Sequence, residues 1–391
     1  MGAMGLFSAL VSRPATILRA TTTYNIRYSF QCGDDGSNPY GGLVRDGSGN
    51  LYGTTFGGGK YDYGVVYKLT PTGTLTVLHP FTGPPYDGAI PLKTLVRDAA
   101  GNIYGTSDEG GSNNKGTAFK IDPSLTETLL WNFGNTETDG TYPAPGLMQG
   151  AGGYFYGTTV EGGGTNNAGT VYSLTAAGTE MVLWSFGAYS LDGQHPHATV
   201  FQDAAGNLYG TTRDGGTFSH GTVYELTLSG TEIVLWSFGG YKGDGKLPHS
   251  VLVQDASGTF YGTTREGGSF GDGKGGSGYG TVFKLSATDQ EKILWSFKGS
   301  PSDGQDPRSG LVMDTAGNLY GTTFAGGEYG YGTVFELTPT GKETILHNFG
   351  YIPTDGENPQ SGLLLDAAGN LYGDTYAGGA NGCGTVFKLK P

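Results

Sequence analysis

The stretch LYGTT at residues 51–55 returns at 208–212 and 319–323, with near-copies IYGTS, FYGTT, FYGTT and LYGDT at 103–107, 155–159, 260–264 and 371–375. The repeated tyrosines are Tyr52, Tyr104, Tyr156, Tyr209, Tyr261, Tyr320 and Tyr372, so the intervals are 52, 52, 53, 52, 59 and 52 residues. A fixed period of this length means one supersecondary unit copied until its apolar faces cover each other. A second landmark keeps step: Asp-Gly at Asp35, Asp87, Asp139, Asp192, Asp244, Asp303 and Asp355, each aspartate followed four residues later by proline. Seven units therefore fill residues 23–391 as a single domain. Residues 1–22 form an N-terminal extension whose short apolar patch, Leu6 to Val11, lacks a basic start and reads as at most the remnant of an export signal.

Each unit contains four strand signals. In the sixth, SGLVMD, NLYGTT, GTVFELT and ETILHNF are short apolar or alternating runs separated by Gly- and Pro-bearing turns. Four short antiparallel strands repeated seven times predict an all-β, seven-bladed β-propeller, in which ring closure protects the sheet edges. With 74 Gly and 25 Tyr in 391 residues and charged residues at 15%, the composition suits turn-rich β structure. Trp131, Trp184, Trp236 and Trp295 share one position in the fourth strand and read as packing between blades, as do His79 and His347, which replace tryptophan there. The last unit ends at GTVFKLKP without a fourth strand, while TYNIRYSF (23–30) precedes the first Asp-Gly with the pattern of KETILHNF. The N-terminal strand is thus expected to complete blade seven.

That closure places the two cysteines. Partners in the hairpin between the third and fourth strands of blade six have residue numbers summing to about 681. Cys32 aligns with Tyr351 and Cys383 with Tyr331, whose numbers sum to 682. The cysteines should face one another across the closing seam. A disulfide there implies an oxidising compartment; a free buried pair is the alternative.

The net charge of −13 opposes binding to a phosphate backbone, and no run of eighteen apolar residues spans a bilayer. Nucleic acid and a membrane span are excluded as expectations, and a monomer is expected. The unit NLYGTT..GG....GTVF.LTP.G.ETIL..F....DG..P..GL..D..G resembles the GloVer-type tandem repeats of bacterial exported proteins over about residues 23–391. This resemblance implies a secreted or surface propeller, at the cell surface, outside the cell or in the periplasm, and brings no particular enzyme activity or substrate with it. Members of that family often carry surface anchors, whereas this chain ends at Pro391 with no sorting segment. Kelch repeats share a similar period, but there the Gly-Gly pair follows an apolar strand and here it follows a polar loop.

Function must be sought where repetition fails. The Asp-Gly-x-x-Pro loop and the loop between the second and third strands open on one face, and the length variation sits there, notably REGGSFGDGKGGSGYGT (265–281) in blade five. Blades one, six and seven carry Phe56, Phe324 and Tyr376 after YGTT or YGDT, with Tyr61, Tyr63, Tyr329 and Tyr331 in their loops. Such amphipathic rings suit the apolar faces of an extracellular polysaccharide or cell-surface glycan, or else pack the Gly-rich loops. Blades four and five carry His195, His197, His220 and His249, with Arg213, Arg265 and Arg308 nearby. His197, His249 and Arg308 each follow the repeated proline. Neutral imidazole with arginine suits a carbohydrate-active enzyme, a polysaccharide lyase before a glycoside hydrolase, and the four histidines are a weaker candidate for a metal ion. Drift on a polar rim would leave the same residues, and a purely structural surface protein is the third reading. No cofactor is expected. Gly271-x-Gly273-x-x-Gly276 has no helix after it, GYKGDGKL (240–247) lacks the Ser or Thr of a phosphate loop, and the seven Asp-Gly pairs read as capped turns before a calcium ring.

Overall fold

A computed structural model describes residues 22–143, 145–271, 278–288 and 290–391. The N-terminal extension, apart from Thr22, and most of the Gly271–Gly276 motif lie outside the described residues. Blade six shows the plan: Val312–Met313 innermost, then Leu319–Thr323, Thr333–Leu337 and Glu343–Asn348, paired in that order and antiparallel. Six further sheets repeat it, and one 3-10 turn, Ala151–Gly153, is the only helical element among the described residues. In blade seven the order is Leu364–Leu365, Leu371–Thr375, Thr385–Lys390 and, outermost, Thr23–Ser29 from the other end of the chain. Thr23 pairs with Lys390 and Ser29 with Thr385, as expected from the alignment.

The repeated pentapeptide has a task for each residue. The glycine lies opposite the aromatic residue of the third strand, as Gly53 opposite Tyr67 and Gly262 opposite Phe283. A Cβ on Gly262 would come within 2.7 Å of the Phe283 ring, so glycine is required by the ring that covers it. The tyrosine hydroxyl donates to the aspartate of the turn before it, Tyr52 to Asp46 at 3.0 Å and Tyr320 to Asp314 at 3.1 Å. The first threonine donates to the inner strand of the next blade, as Thr263 Oγ1 to the Ser309 carbonyl at 2.9 Å. The second meets a third-strand threonine, Thr264 with Thr281 at 2.8 Å. Most buried polar groups of the motif are thereby satisfied inside the sheet or across a seam, the exceptions being Thr54 Oγ1 and Asp374 Oδ2.

Seven apolar clusters lie between the blades, with the third-strand aromatics Tyr67, Phe119, Tyr172, Tyr224, Phe283, Phe335 and Phe387 all fully buried. The strand-four tryptophans sit at the edges of these clusters, half-buried, and face the Asp-Gly aspartate of the following blade. Trp295 Nε1 donates to Asp303 at 3.1 Å, and His79 and His347 hold Asp87 and Asp355 in the same way, each at 3.1 Å. These aspartates are buried and also accept backbone amides, as Asp244 from Gly239, Gly240 and Gly245. These carboxylates act as turn caps that accept backbone amides, although one oxygen each of Asp139 and Asp192 is buried without a partner. Cys32 and Cys383 are bonded across the closing seam, with Cα atoms 5.5 Å apart.

Candidate functional site

The loop-rich face is organised by one backbone device repeated seven times. The residue before each repeated proline, namely Asn38, Ile90, Tyr142, His195, Leu247, Asp306 and Asn358, has φ between 52° and 59°. A left-handed conformation at a residue with a Cβ costs roughly 1–2 kcal/mol, and proline next in sequence disfavours helical backbone for it. Hydrogen bonds hold it there. Each of these residues donates its N–H to a loop carbonyl of the preceding blade, from Asn38 to Cys383 at 2.9 Å round to Asn358 to Tyr331 at 2.8 Å. In five blades its carbonyl also accepts the N–H of the residue that follows the pentapeptide: Asp108, Val160, Arg213, Phe324 or Tyr376. Adjacent blades are thus stitched around the mouth of the central channel, and the side chains of both positions stand on its rim.

Inside this rim the channel widens into a funnel of ≈ 440 Å³, lined among others by Asp108, Tyr142, Glu161 and Arg265. Deeper lies a second cavity of ≈ 190 Å³ between the innermost strands. Tyr40, Lys93, His197, His249 and Arg308 line both and so form the neck between them. Four of these five directly follow the repeated proline. The fifth, Lys93, stands one residue further on, where the other blades have Gly41, Pro145, Ala198, Ser250, Ser309 and Ser361.

Contacts at the neck are specific. The imidazoles of His197 and His249 stack with centroids 4.4 Å apart. Arg308 donates to Asp306 at 2.8 Å and to Gln360 at 3.1 Å, and lies over the Phe324 ring at 3.5 Å. Arg265 is held by the same Asp306 at 2.8 Å. Lys93 Nζ lies 5.5 Å from the centre of the Tyr40 ring, which meets Tyr376 edge-on at 6.2 Å, and Tyr376 meets Phe56 likewise. Desolvation, reinforced by Lys93 and Arg213, pushes His197 down to about 3; desolvation and then His197 hold His249 well below the usual range. Both rings are neutral at pH 7. Desolvation also brings Lys93 down to about 8, against the opposing pull of Asp108, and raises Asp108 to about 6, with Glu109 adding to the rise.

The expected residues divide accordingly. His197, His249, Arg265 and Arg308 converge on the funnel. His195 stands on the rim and pairs with Asp214 at 3.2 Å, beside Arg213. His220 is not with them: its ring lies against Gly239 at the loop end, and no group of three or more His, Cys, Asp or Glu among the described residues is arranged to hold a metal ion. Of the aromatic sector, Phe324 lies against Arg308 and Tyr376 against Tyr40, both of which line the funnel, and Phe56 meets Tyr376. Tyr61, Tyr63, Tyr329 and Tyr331 are exposed on the outer loops, where Tyr63 covers Gly83 and Tyr331 covers Gly350. Those last two perform the loop packing weighed against a binding role. Tyr40, Lys93, Asp108 and Gln360 were not singled out from the sequence. Tyr40 and Gln360 share the post-proline position of His197, and Lys93 is a long side chain at a small-residue position.

A family model described as the Gloeobacter/Verrucomicrobia repeat matches the sequence over residues 14–190, 151–275 and 273–391. No curated protein matches it. Among solved structures, it is similar to one described as the extracellular domain of a hybrid two-component system from B. thetaiotaomicron, with TM-score 0.61 and 13% identity over 95% of this chain and 41% of the other. A second, described as the extracellular domain of a one-component system from the same organism, aligns with TM-score 0.58 and 11% identity over 95% of this chain and 42% of the other. The chain thus spans about two fifths of the length of these structures, and at such identities the likeness concerns the fold alone.

Proposed function

The chain belongs to the Gloeobacter/Verrucomicrobia repeat family, and on that premise we propose that it is an extracellular or surface propeller that binds a glycan at the funnel of its loop-rich face. The bonded cysteines support an oxidising location, and no helix among the described residues is long and apolar enough to cross a membrane. The observation that carries glycan binding is the meeting of two residue types at the funnel. Arg308 lies on the Phe324 ring at 3.5 Å, and a second aromatic group is made by Tyr40, Tyr376 and Phe56, whose rings meet edge-on at 6.2 Å each. Sugars present an apolar ring face and a polar edge at once, so aromatic planes beside fixed hydrogen-bonding groups match them. Asn38 and Asn358 on the same rim donate their side-chain amides to the Tyr376 and Phe324 carbonyls, at 2.9 and 3.0 Å, and so fix the residues that carry these rings.

Retention on a panel of neutral and acidic polysaccharides tests this. Phe324→Ala with Tyr376→Ala should lower retention at least tenfold, whereas Tyr61→Ala with Tyr329→Ala on the outer loops should change it little. Retention that survives the first pair would remove the funnel as the site.

A second reading, β-elimination by a polysaccharide lyase, is favoured by one observation: Nδ1 of His249 is buried without a partner, on a ring held neutral. A neutral imidazole has a lone pair to accept a proton, but one held well below its usual range is a weak base, and Arg308 would serve as the carboxylate's counter-ion. Unsaturated products from the acidic members of the panel, lost in His249→Ala, would establish it.

A further inference from the structure

We infer that the neck of the funnel is a carboxylate site, in which Lys93 and His249 receive the acid group of a uronic or similarly acidic sugar. This rests on the glycan reading above and names the class of sugar it favours.

Lys93 is the anomaly that points there. Six of seven blades carry a small residue or proline at its position, and its backbone lies between two glycines that make room for it. A Cβ on Gly41 would approach the Lys93 carbonyl oxygen to 2.6 Å, and one on Gly146 would approach Lys93 Cβ to 2.8 Å. The other cations of the funnel are already matched: Arg213 with Asp214, Arg265 and Arg308 with Asp306. Lys93 has no ion-pair partner among the described residues; the acid whose charge acts on it, Asp108 of the same blade, stands on the rim, where its N–H is bonded to the Ile90 carbonyl. An ammonium removed from water without a counter-ion is unfavourable, and a bound anion relieves that.

A second, independent observation lies across the same constriction. His249 Nδ1 is buried and has no hydrogen-bond partner. Its ring is fixed by stacking on His197 at 4.4 Å, so the orphan nitrogen is held rather than free to turn. As the Nδ1–H tautomer it is a donor. One ammonium and one imidazole N–H supply two donors to the two oxygens of a planar carboxylate, while the Tyr40 ring beneath Lys93 covers the sugar's apolar face. The remaining charges that face the histidines are Arg213, Arg265 and Asp214. The first two are cations, and they add to the attraction for an anion without contacting it.

Linkage gives the site a signature. An anion beside Lys93 restores its protonation, so binding of an acidic sugar should weaken as pH rises past about 8, where the empty site loses its proton, and should take up protons from buffer near that pH.

Calorimetry with a tri-galacturonate, a neutral trisaccharide of the same linkage and sodium glucuronate tests the inference. The wild type should prefer the acidic to the neutral trisaccharide by at least tenfold. Lys93→Met should bring that ratio to about one, and Lys93→Arg should retain it. A ratio unchanged in Lys93→Met, or neutral and acidic sugars bound alike by the wild type, overturns the carboxylate site and leaves glycan binding standing. Binding of glucuronate that depends on Lys93, with no oligosaccharide bound, supports the site and overturns the glycan reading. Melting temperatures within a few degrees of wild type identify folded variants, and proton uptake by the wild type at pH 8 checks the inference without any substitution.

Discussion

The five seams between blades one and six are built differently from the two that flank blade seven. In each of the five, a glutamate opens the fourth strand and faces the buried Asp-Gly aspartate: Glu127 near Asp87, Glu180 near Asp139, Glu232 near Asp192, Glu291 near Asp244 and Glu343 near Asp303. One oxygen of every one of these glutamates is buried without a partner. Desolvation first, then the neighbouring aspartate, raises all five to about 7. Around blade seven the equivalent positions are Tyr24, stacked on His347 at 3.7 Å, and Leu75, packed into the apolar cluster behind Tyr28 and Phe30. Tyr28 donates to Asp35 at 2.9 Å, where other blades use tryptophan or histidine. The contrast teaches where a ring can carry an unfavourable contact. Six blades follow one another along the chain, so their seams tolerate a carboxyl pair. Blade seven is assembled from both ends of the chain; Tyr24 and Leu75 stand where its flanking seams would have glutamate, and a disulfide ties its N-terminal strand to the strand beside it.

Opening the disulfide should break this contrast most. Replacing Cys32 and Cys383 with serine frees a crosslink spanning 351 residues, which in the loop-entropy model lowers stability by up to about 5 kcal/mol. Urea unfolding of oxidised and double-serine protein measures it, and equal midpoints would show that the termini need no staple. Next in size is the transfer of an acid into the closing seam. Leu75→Glu should cost about 2–3 kcal/mol at pH 8, the lost apolar burial adding to an uncompensated carboxylate. A neutral outcome would mean that this seam is as permissive as the others.

The pH dependence should be gentler, about 1 kcal/mol per seam after allowance for partial exposure. Because the folded glutamates bind protons more tightly than unfolded ones, their contribution is fully present below the unfolded value near 4.5 and is lost as pH rises through about 7. The protein should therefore melt at a higher temperature at pH 5.5 than at pH 8, and Glu→Gln at all five positions should flatten the difference. The opposite slope would mean that the pairs hold a cation rather than a proton. Smallest of all, Tyr329→Ala on the outer loops should alter stability by less than about 0.5 kcal/mol.

The ring, its closure and the pairing of the cysteines were legible because each rests on register, and a period repeated seven times fixes register without knowledge of any contact. Position after proline likewise marked His197, His249 and Arg308 as neighbours, and all three line the funnel. What escaped was set by side-chain direction. His220 looked like a neighbour of the other histidines, yet its loop-end position turns it onto Gly239. Glu343 reads as a solvated charge at a strand end, because nothing in ETIL announces the aspartate of the same seam forty residues earlier. Lys93 is displaced by one position from the ring of functional residues, and only its size among small residues marks it.

The seven left-handed residues before proline have one more consequence. Their backbone is the same whether the side chain is Ile90, Tyr142, His195 or Asp306, because each is clamped to the preceding blade by its own N–H. Conformation at the rim is therefore independent of side-chain identity. Each blade presents one address that can be rewritten alone, with six others unchanged. Seven such addresses around one opening make the mouth of this propeller a combinatorial surface, on which a new specificity needs substitutions but no new loop.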